Sequence, residues 1–235
     1  MKQRWLGRGA FAPTNDATVA VDVADSWLVD EGRCRGLDLH RERFTRSCAH
    51  PDAGLFFDDV LPLLPRTGRW FPRIEFHQGE FRAWVRPAPP PSSSVSLWFP
   101  DRPDPRKRPL VKGPDLETLL KLRAQGGDGT EAVLVSPEGW VREGALSSLM
   151  WWRGDVLCGP PDGPGLLPSV TRALVLRIAA RRGQKVVFEQ VGVRALDGLV
   201  CWSMSALHGI RSAGPVGSID GRRQSWQEEL LGLAE

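Results

Sequence analysis

The stretch "EAVLVSPEGWVREGALSSLMWW", residues 131–152, decides the fold class. Its first apolar run, "AVLVS", is dense in β-branched residues and stops at Pro-Glu-Gly, so it reads as a strand entering a tight turn. "WVRE" then forms a second strand, Gly144-Ala145 bends the chain, and "SLMWW" forms a third. Arg-Gly-Asp makes another turn into the short strand "VLC" (156–158). Outside this meander the period changes. The loop "GPPDGPGLLP" (159–168) leads to "SVTRALVLRIAARRG" (169–183), where Val170, Leu174, Ile178 and Ala179 share one helical face and Gly183 is the expected stop. "KVVFEQVGV" and "GLVCWSMS" are read as further strands, and "RQSWQEELLGLA" as a closing helix. Upstream, "DLETLLKLRA" predicts a helix capped by Asp115 with Leu116, Leu119 and Leu120 facing inward. Strands and helices mixed without strict alternation make the class α+β.

The first half has its own pattern. "ATVAVDVADSWLV" (17–29) is expected as a strand. "LDLHRERFTRSCA" is expected as a helix with Leu39, Phe44 and Cys48 on one face. "DAGLFFDDVLPLLP" repeats the helical spacing through Leu55, Phe56, Val60 and Leu63. "RWFPRIEFHQGEFRAWVRP" reads as a hairpin about "HQGE". The Pro- and Ser-rich segment 87–109 cannot make a continuous helix and is expected to cross between domains. The expected division is 1–106 as a small N-terminal domain, 107–112 as an interdomain segment, and 113–235 as a larger domain.

At 235 residues the chain has room for a sizeable core, and 41% hydrophobic with 25% charged residues suits a soluble globular protein. The net charge of +3 comes from scattered mixed signs, with no basic block interleaved with aromatics, so nucleic-acid binding is disfavoured. The N-terminus lacks the apolar core of a signal peptide, and no run has membrane-spanning length. Cys34, Cys48, Cys158 and Cys201 lie far apart, with no ligand spacing for a metal. They are expected as reduced, mostly buried thiols of a cytoplasmic protein.

Four stretches carry candidate chemistry, each beside a plainer reading. Lys and Arg together number 31, yet only five are lysine. One of these, Lys112, stands between an apolar run and Gly-Pro-Asp, where an amine can lose its proton and attack a carbonyl as a guanidinium cannot; a solvated turn lysine is the plain alternative. In "GLLPSVTR" (165–172), a helix start with Ser169 and Thr171 suits a phosphate, or is a simple Ser cap. Glu143 ends a strand and is either a buried acid facing a base or a rim carboxylate paired with arginine. Arg43, in "HRERF", reaches a phosphate or is a solvated helix residue.

Taken in order, these segments resemble the class IV aminotransferases, the pyridoxal-phosphate enzymes of fold type IV. That family includes branched-chain and D-amino-acid aminotransferases and aminodeoxychorismate lyases. "GRCRGLDLHRERFTRS" is similar to the family's Gly-x-x-x-x-Leu-x-x-His-x-x-Arg-Leu-x-x-Ser, and "GLLPSVTRALVL" to its Gly-x-Leu-Pro-Gly-x-Thr-Arg except at Ser169. Residues 131–152 resemble its Gly-x-Val-x-Glu strand pair. "SALHGIRSAGPVGSIDG" (205–221) resembles its late Asn-Ser-x-x-Gly-Ile-x-Pro-Val stretch. The resemblance implies a small α/β domain and a larger domain with a barrel-like sheet, pyridoxal 5'-phosphate as cofactor and a homodimer. It implies Lys112 as the Schiff-base lysine and Glu143 as partner of the pyridine nitrogen. It further implies Arg43, Ser169, Val170, Thr171, Ser205 and Ala206 around the phosphate, Leu167 against the ring, and Arg86 and Ser26 near the substrate. No metal or membrane is implied.

The departures narrow the activity. The family's Phe-Glu-Thr is here "ADS", of which Ser26 keeps the hydroxyl. There is no tyrosine, and Ala206 replaces a phosphate-binding Thr or Ser. These favour lyase chemistry of the aminodeoxychorismate type, giving 4-aminobenzoate and pyruvate. Transamination of a branched-chain or D-amino acid and a non-catalytic binding relative are the alternatives.

Overall fold

The computed structural model describes residues 2–15, 21–214 and 221–235. The chain forms two units: Met1–Pro90 with Val111–Glu117 and Leu233–Glu235, and Pro91–Leu110 with Thr118–Gly232.

In the first unit, β1 (Lys2–Gly7), β2 (Ala10–Pro13), β3 (Val23–Ser26), β4 (Val29–Asp30) and β5 (Arg33–Cys34) precede α1 (Leu37–Cys48) and α2 (Ala53–Val60). Then come β6 (Arg69–Trp70), β7 (Arg73–His77) and β8 (Glu80–Trp84). An antiparallel sheet runs β2-β1-β8-β7-β3, and a small one β5-β4-β6. The expected hairpin is β7–β8: Gln78 and Gly79 both have positive φ, 49° and 80°, the two-residue turn that matches strand twist. The α1 and α2 faces pack Phe44, Phe56, Phe57 and Val60 against Val23, Ile74 and Phe81. Residues 233–235 close the unit's edge, because Cys34 and Glu235 exchange backbone hydrogen bonds of 2.9 Å each way.

Three expectations need correction here. The strand expected over 17–29 is β3 and β4 with a break at Trp27-Leu28; its residues 17–20 lie outside the described ones. Leu39 is only half-buried, and the inward positions of α1 are His40, Arg43, Phe44 and Cys48. Leu55 is 44% exposed because adjacent Phe56 and Phe57 set the buried face of α2. The β1–β2 hairpin was not expected.

The second unit opens with β9 (Ser94–Trp98). Helix α3 (Leu116–Gln125) starts in the first unit's segment and continues into this one. It is followed by β10 (Thr130–Val135), β11 (Val141–Gly144), β12 (Ser148–Arg153) and β13 (Val156–Gly159). After α4 (Val170–Arg181) come β14 (Val186–Phe188), β15 (Val200–Ser205), β16 (Gly209–Ala213) and α5 (Gly221–Gly232). The strands form one eight-stranded sheet, β11-β10-β9-β16-β15-β12-β13-β14, curled into a half-barrel. The meander of residues 131–152 supplies β10, β11 and β12. Trp152, Trp202 and Trp226 pack edge-to-face with centroids 5.2–5.7 Å apart, fixing α5 on the sheet.

The Pro/Ser-rich segment holds a strand that composition concealed: β9 lies between β10 and β16, parallel to both, with its prolines outside the paired residues. Helix α3 buries Leu119 and Leu122 and leaves Leu120 47% exposed, contrary to expectation, because a leucine one step along is about 100° around the helix. Of the strand expected over 185–193 only β14 forms, and a 3-10 turn follows at Val193–Leu196. Strand β16 was not expected. It begins at Gly209, where φ is +68° and a Cβ would lie 2.4 Å from Gln227 Oε1.

Candidate active site

Lys112 belongs to the first unit. Its carbonyl accepts the Ala24 N–H at 2.7 Å, which ties the lysine to β3 one residue before Asp25. Gly113 makes that approach: its φ is +134°, and a Cβ there would lie 2.8 Å from Ala24 N. Val111, on the other side, packs on the first core.

Beside this strand lies a fully buried charged set that sequence reading saw only in part. Arg43 forks onto Asp25, Nε to Oδ2 at 2.9 Å and Nη2 to Oδ1 at 2.6 Å. His40 Nδ1 is 2.9 Å from Asp25 Oδ1, which also accepts the Ser26 N–H at 2.7 Å. Burial opposes ionisation of Asp25, yet Arg43 and His40 outweigh it and the carboxyl lies well below its ordinary range. For His40, burial dominates over Asp25 and, with the charges of Arg43 and Lys112, lowers its proton affinity. A neutral His40 must therefore carry its proton on Nδ1 and donate it to Asp25. Lys112 is thus within electrostatic reach of the set.

Ser26 is buried at the end of β3. Arg86 donates from Nε to the Phe71 carbonyl at 3.0 Å, and its guanidinium lies over Trp84 and Phe71, 4.9 and 5.3 Å from the ring centroids. Burial, then the neighbouring Arg73, lowers its proton affinity.

In the second unit, Glu143 ends β11 with 3% exposure. Its Oε1 accepts Arg106 Nη1 at 2.6 Å and the Leu167 N–H at 2.8 Å, while Oε2 accepts no hydrogen bond from the described residues. Burial pushes its carboxyl up, and Arg106 and the Leu167 amide oppose the rise. Arg106 forks onto Asp104, with Nε 2.9 Å from Oδ1 and Nη2 2.7 Å from Oδ2, and Nη2 also donates to the Gly165 carbonyl at 2.9 Å. Sequence reading missed Asp104 and Arg106. The available signal was an acid and a base two residues apart in a segment otherwise read as a crossing.

The 166–172 junction is built as a capped helix start. Ser169 Oγ accepts the Arg172 N–H at 3.2 Å and keeps its own O–H to donate; Val170 and Thr171 are buried behind it. Leu167 is half-buried, and its amide is committed to Glu143. Ser205 Oγ accepts the His208 N–H at 3.2 Å at the end of β15, with Ala206 half-buried beside it. Residues 215–220 of the late motif lie outside the described ones. Among the described residues no group of three or more His, Cys, Asp or Glu is placed to hold a metal, and no helix is long and apolar enough to cross a membrane.

The family model described as amino-transferase class IV matches residues 22–214. No curated protein sequence matches the chain at a significant level. Among solved structures, a branched-chain aminotransferase from Thermoproteus uzoniensis, crystallised with norvaline, superposes with TM-score 0.81 at 16% identity, over 97% of this chain and 93% of that one. A Legionella pneumophila protein assigned by inference as a 4-amino-4-deoxychorismate lyase gives 0.78 at 14%, over 94% and 96%. A Mycobacterium tuberculosis protein assigned by inference as an aminotransferase, in its PLP-bound form, gives 0.72 at 17%, over 95% of each chain. At these identities the likeness is one of fold.

Proposed function

Because the chain belongs to the class IV aminotransferases, a family of pyridoxal-phosphate enzymes, we propose that it is a lyase of the aminodeoxychorismate type, releasing pyruvate and 4-aminobenzoate. The observation that carries the cofactor assignment is Glu143: a buried carboxylate whose two donors both use Oε1, leaving Oε2 to accept the N–H of a protonated ring. The residues present therefore fit the group. In the second unit Glu143 would hold the ring nitrogen, Leu167 would pack the ring, and Ser169, Val170, Thr171, Ser205 and Ala206 would surround the phosphate; Arg43, which the resemblance assigns to the phosphate, is forked onto Asp25 in the first unit.

Pyridoxal phosphate, when bound, supplies the electron sink that makes a substrate α-proton acidic. Lys112 would be the amine that holds it and would carry that α-proton, a role that requires the free base. Ser26 Oγ is assigned to the substrate. The lyase reading is supported by the departures from the family pattern: Ala24-Asp25-Ser26, the lack of tyrosine, and Ala206. Arg86 donates from Nε to the Phe71 carbonyl and lies over two rings. A homodimer, expected from the resemblance, and a cytoplasmic location, supported by four buried free thiols, belong to the same reading.

Borohydride reduction of the protein loaded with pyridoxal phosphate should fix the cofactor to the peptide carrying Lys112, and label on Lys107 or Lys121 would overturn that assignment. Aminodeoxychorismate should then yield pyruvate with the cofactor returned in its aldehyde-derived state. Lasting conversion of the cofactor to its amine form by amino acids, reversed by a keto acid, would make the protein a transaminase.

A further inference from the structure

We propose that Arg106, aimed by Asp104, is a positioning residue that holds Glu143 and the loop before α4 as one array and keeps Oε2 of Glu143 an acceptor. The inference rests on reading Glu143 as the acid that faces the cofactor ring. Its geometry does not. One guanidinium joins three segments distant in sequence: Asp104 beside it, Glu143 at the end of β11, and the Gly165 carbonyl in the loop. The fork is anchored from behind. Asp104 donates its own N–H to the Val135 carbonyl at 2.8 Å, and its Oδ2 also accepts Arg142 Nη1 at 2.9 Å. Arg106 therefore cannot swing away without breaking a network whose members are mostly buried.

The loop is fixed twice, once through Gly165 to Arg106 and once through the Leu167 amide to Glu143. Both contacts converge on one carboxylate oxygen, so the other keeps a single defined direction. Gly165 suits the arrangement, since a Cβ there would lie 2.5 Å from Arg142 Nε.

The charge balance follows from the groups facing Glu143 in its unit: Arg106 in direct contact, Asp104 behind it, and Arg142 beyond Asp104. Asp104 alone would make Glu143 harder to ionise, and burial acts the same way. Arg106 is the cation that opposes both. Loss of Arg106 shifts Glu143 toward the neutral acid, which presents an O–H in place of an acceptor for a ring N–H.

The test is a titration of the Glu143 carboxyl by carbon NMR in the cofactor-free protein, with Glu143→Gln assigning the signal. In Arg106→Gln the midpoint should rise by about one pH unit or more, a tenfold gain in proton affinity. Arg106→Lys should restore most of it. If Arg106→Gln does not fold, Arg106→Lys, which keeps the cation and loses the fork onto Asp104, serves in its place and should raise the midpoint by a smaller amount. Pyridoxal phosphate affinity of Arg106→Gln should drop about tenfold near neutral pH and recover as pH rises. A midpoint unmoved in a folded variant would overturn the inference. Failure of the wild type to bind pyridoxal phosphate would instead overturn the cofactor reading, and the NMR midpoint would still decide the role of Arg106.

Discussion

His40 gives its Nδ1 proton to a carboxylate sealed from water, and this has a measurable consequence. The folded protein takes up a second imidazole proton less readily than the unfolded chain, which accepts it below about pH 6.5. Stability from the neutral histidine is thus complete above that pH and is lost as pH falls, because the unfolded state then binds more protons. Asp25, also depressed, adds a second loss only in the acid range below about 3.9. His40→Asn, whose amide reproduces the Nδ1 donor, should cost about 1–3 kcal/mol at neutral pH and flatten the stability slope between about pH 7 and 5. Thermal unfolding across that range checks it; an unchanged slope would place the titration elsewhere. Single residues are also where the sequence was least legible. Lys112, Glu143 and Arg43 each stand in a stretch whose pattern draws attention. Asp25 was passed over as part of a three-residue departure, although its carboxylate survives there. Arg106 lay in a basic, proline-rich run where no local pattern separates a buried cation from a solvated one. Both omissions are of partners, and partnership is set by tertiary contact.

At the scale of elements, periodicity located the helices and the meander well, because each buries a continuous apolar face. It erred at Leu55 and Leu120, where several apolar residues compete and neighbouring packing sets the phase. It failed at β9 because prolines on both sides masked a paired strand, and at β16 because Gly209 and the turn before it read as loop. The connection of Lys112 to β3 was also beyond the sequence, yet a single glycine enforces it. Gly113→Ala adds both a Cβ clash with Ala24 and a backbone angle that side chains resist, so a loss of about 1–3 kcal/mol is expected. Slower borohydride fixation of pyridoxal phosphate should accompany it, since the Lys112 carbonyl must move off β3. A variant with wild-type melting temperature would show that the segment adapts without strain.

For the whole molecule, the division into two units was read from composition as a simple succession, whereas the chain passes between them more than once. The first unit takes residues 111–117 and 233–235 from far along the chain. Arg33 donates to the Ala234 carbonyl across a sequence separation of 201 residues, and Cys34 pairs with Glu235. Such contacts close large loops and come late. During synthesis, then, the half that leaves the ribosome first completes its pairing last. The β7–β8 hairpin and the phenylalanine core can assemble early, but the edge at β5 waits for residues 233–235. Nascent chains stalled after about residue 230 should show fast exchange of the Cys34 amide beside a protected β7–β8 hairpin, while a chain with residues 233–235 docked protects both. Protection of the Cys34 amide in the stalled chain would break the argument. The lysine's strand contact, by contrast, is available once residue 112 emerges, so the order of translation assembles the reactive segment before it seals the unit that carries it.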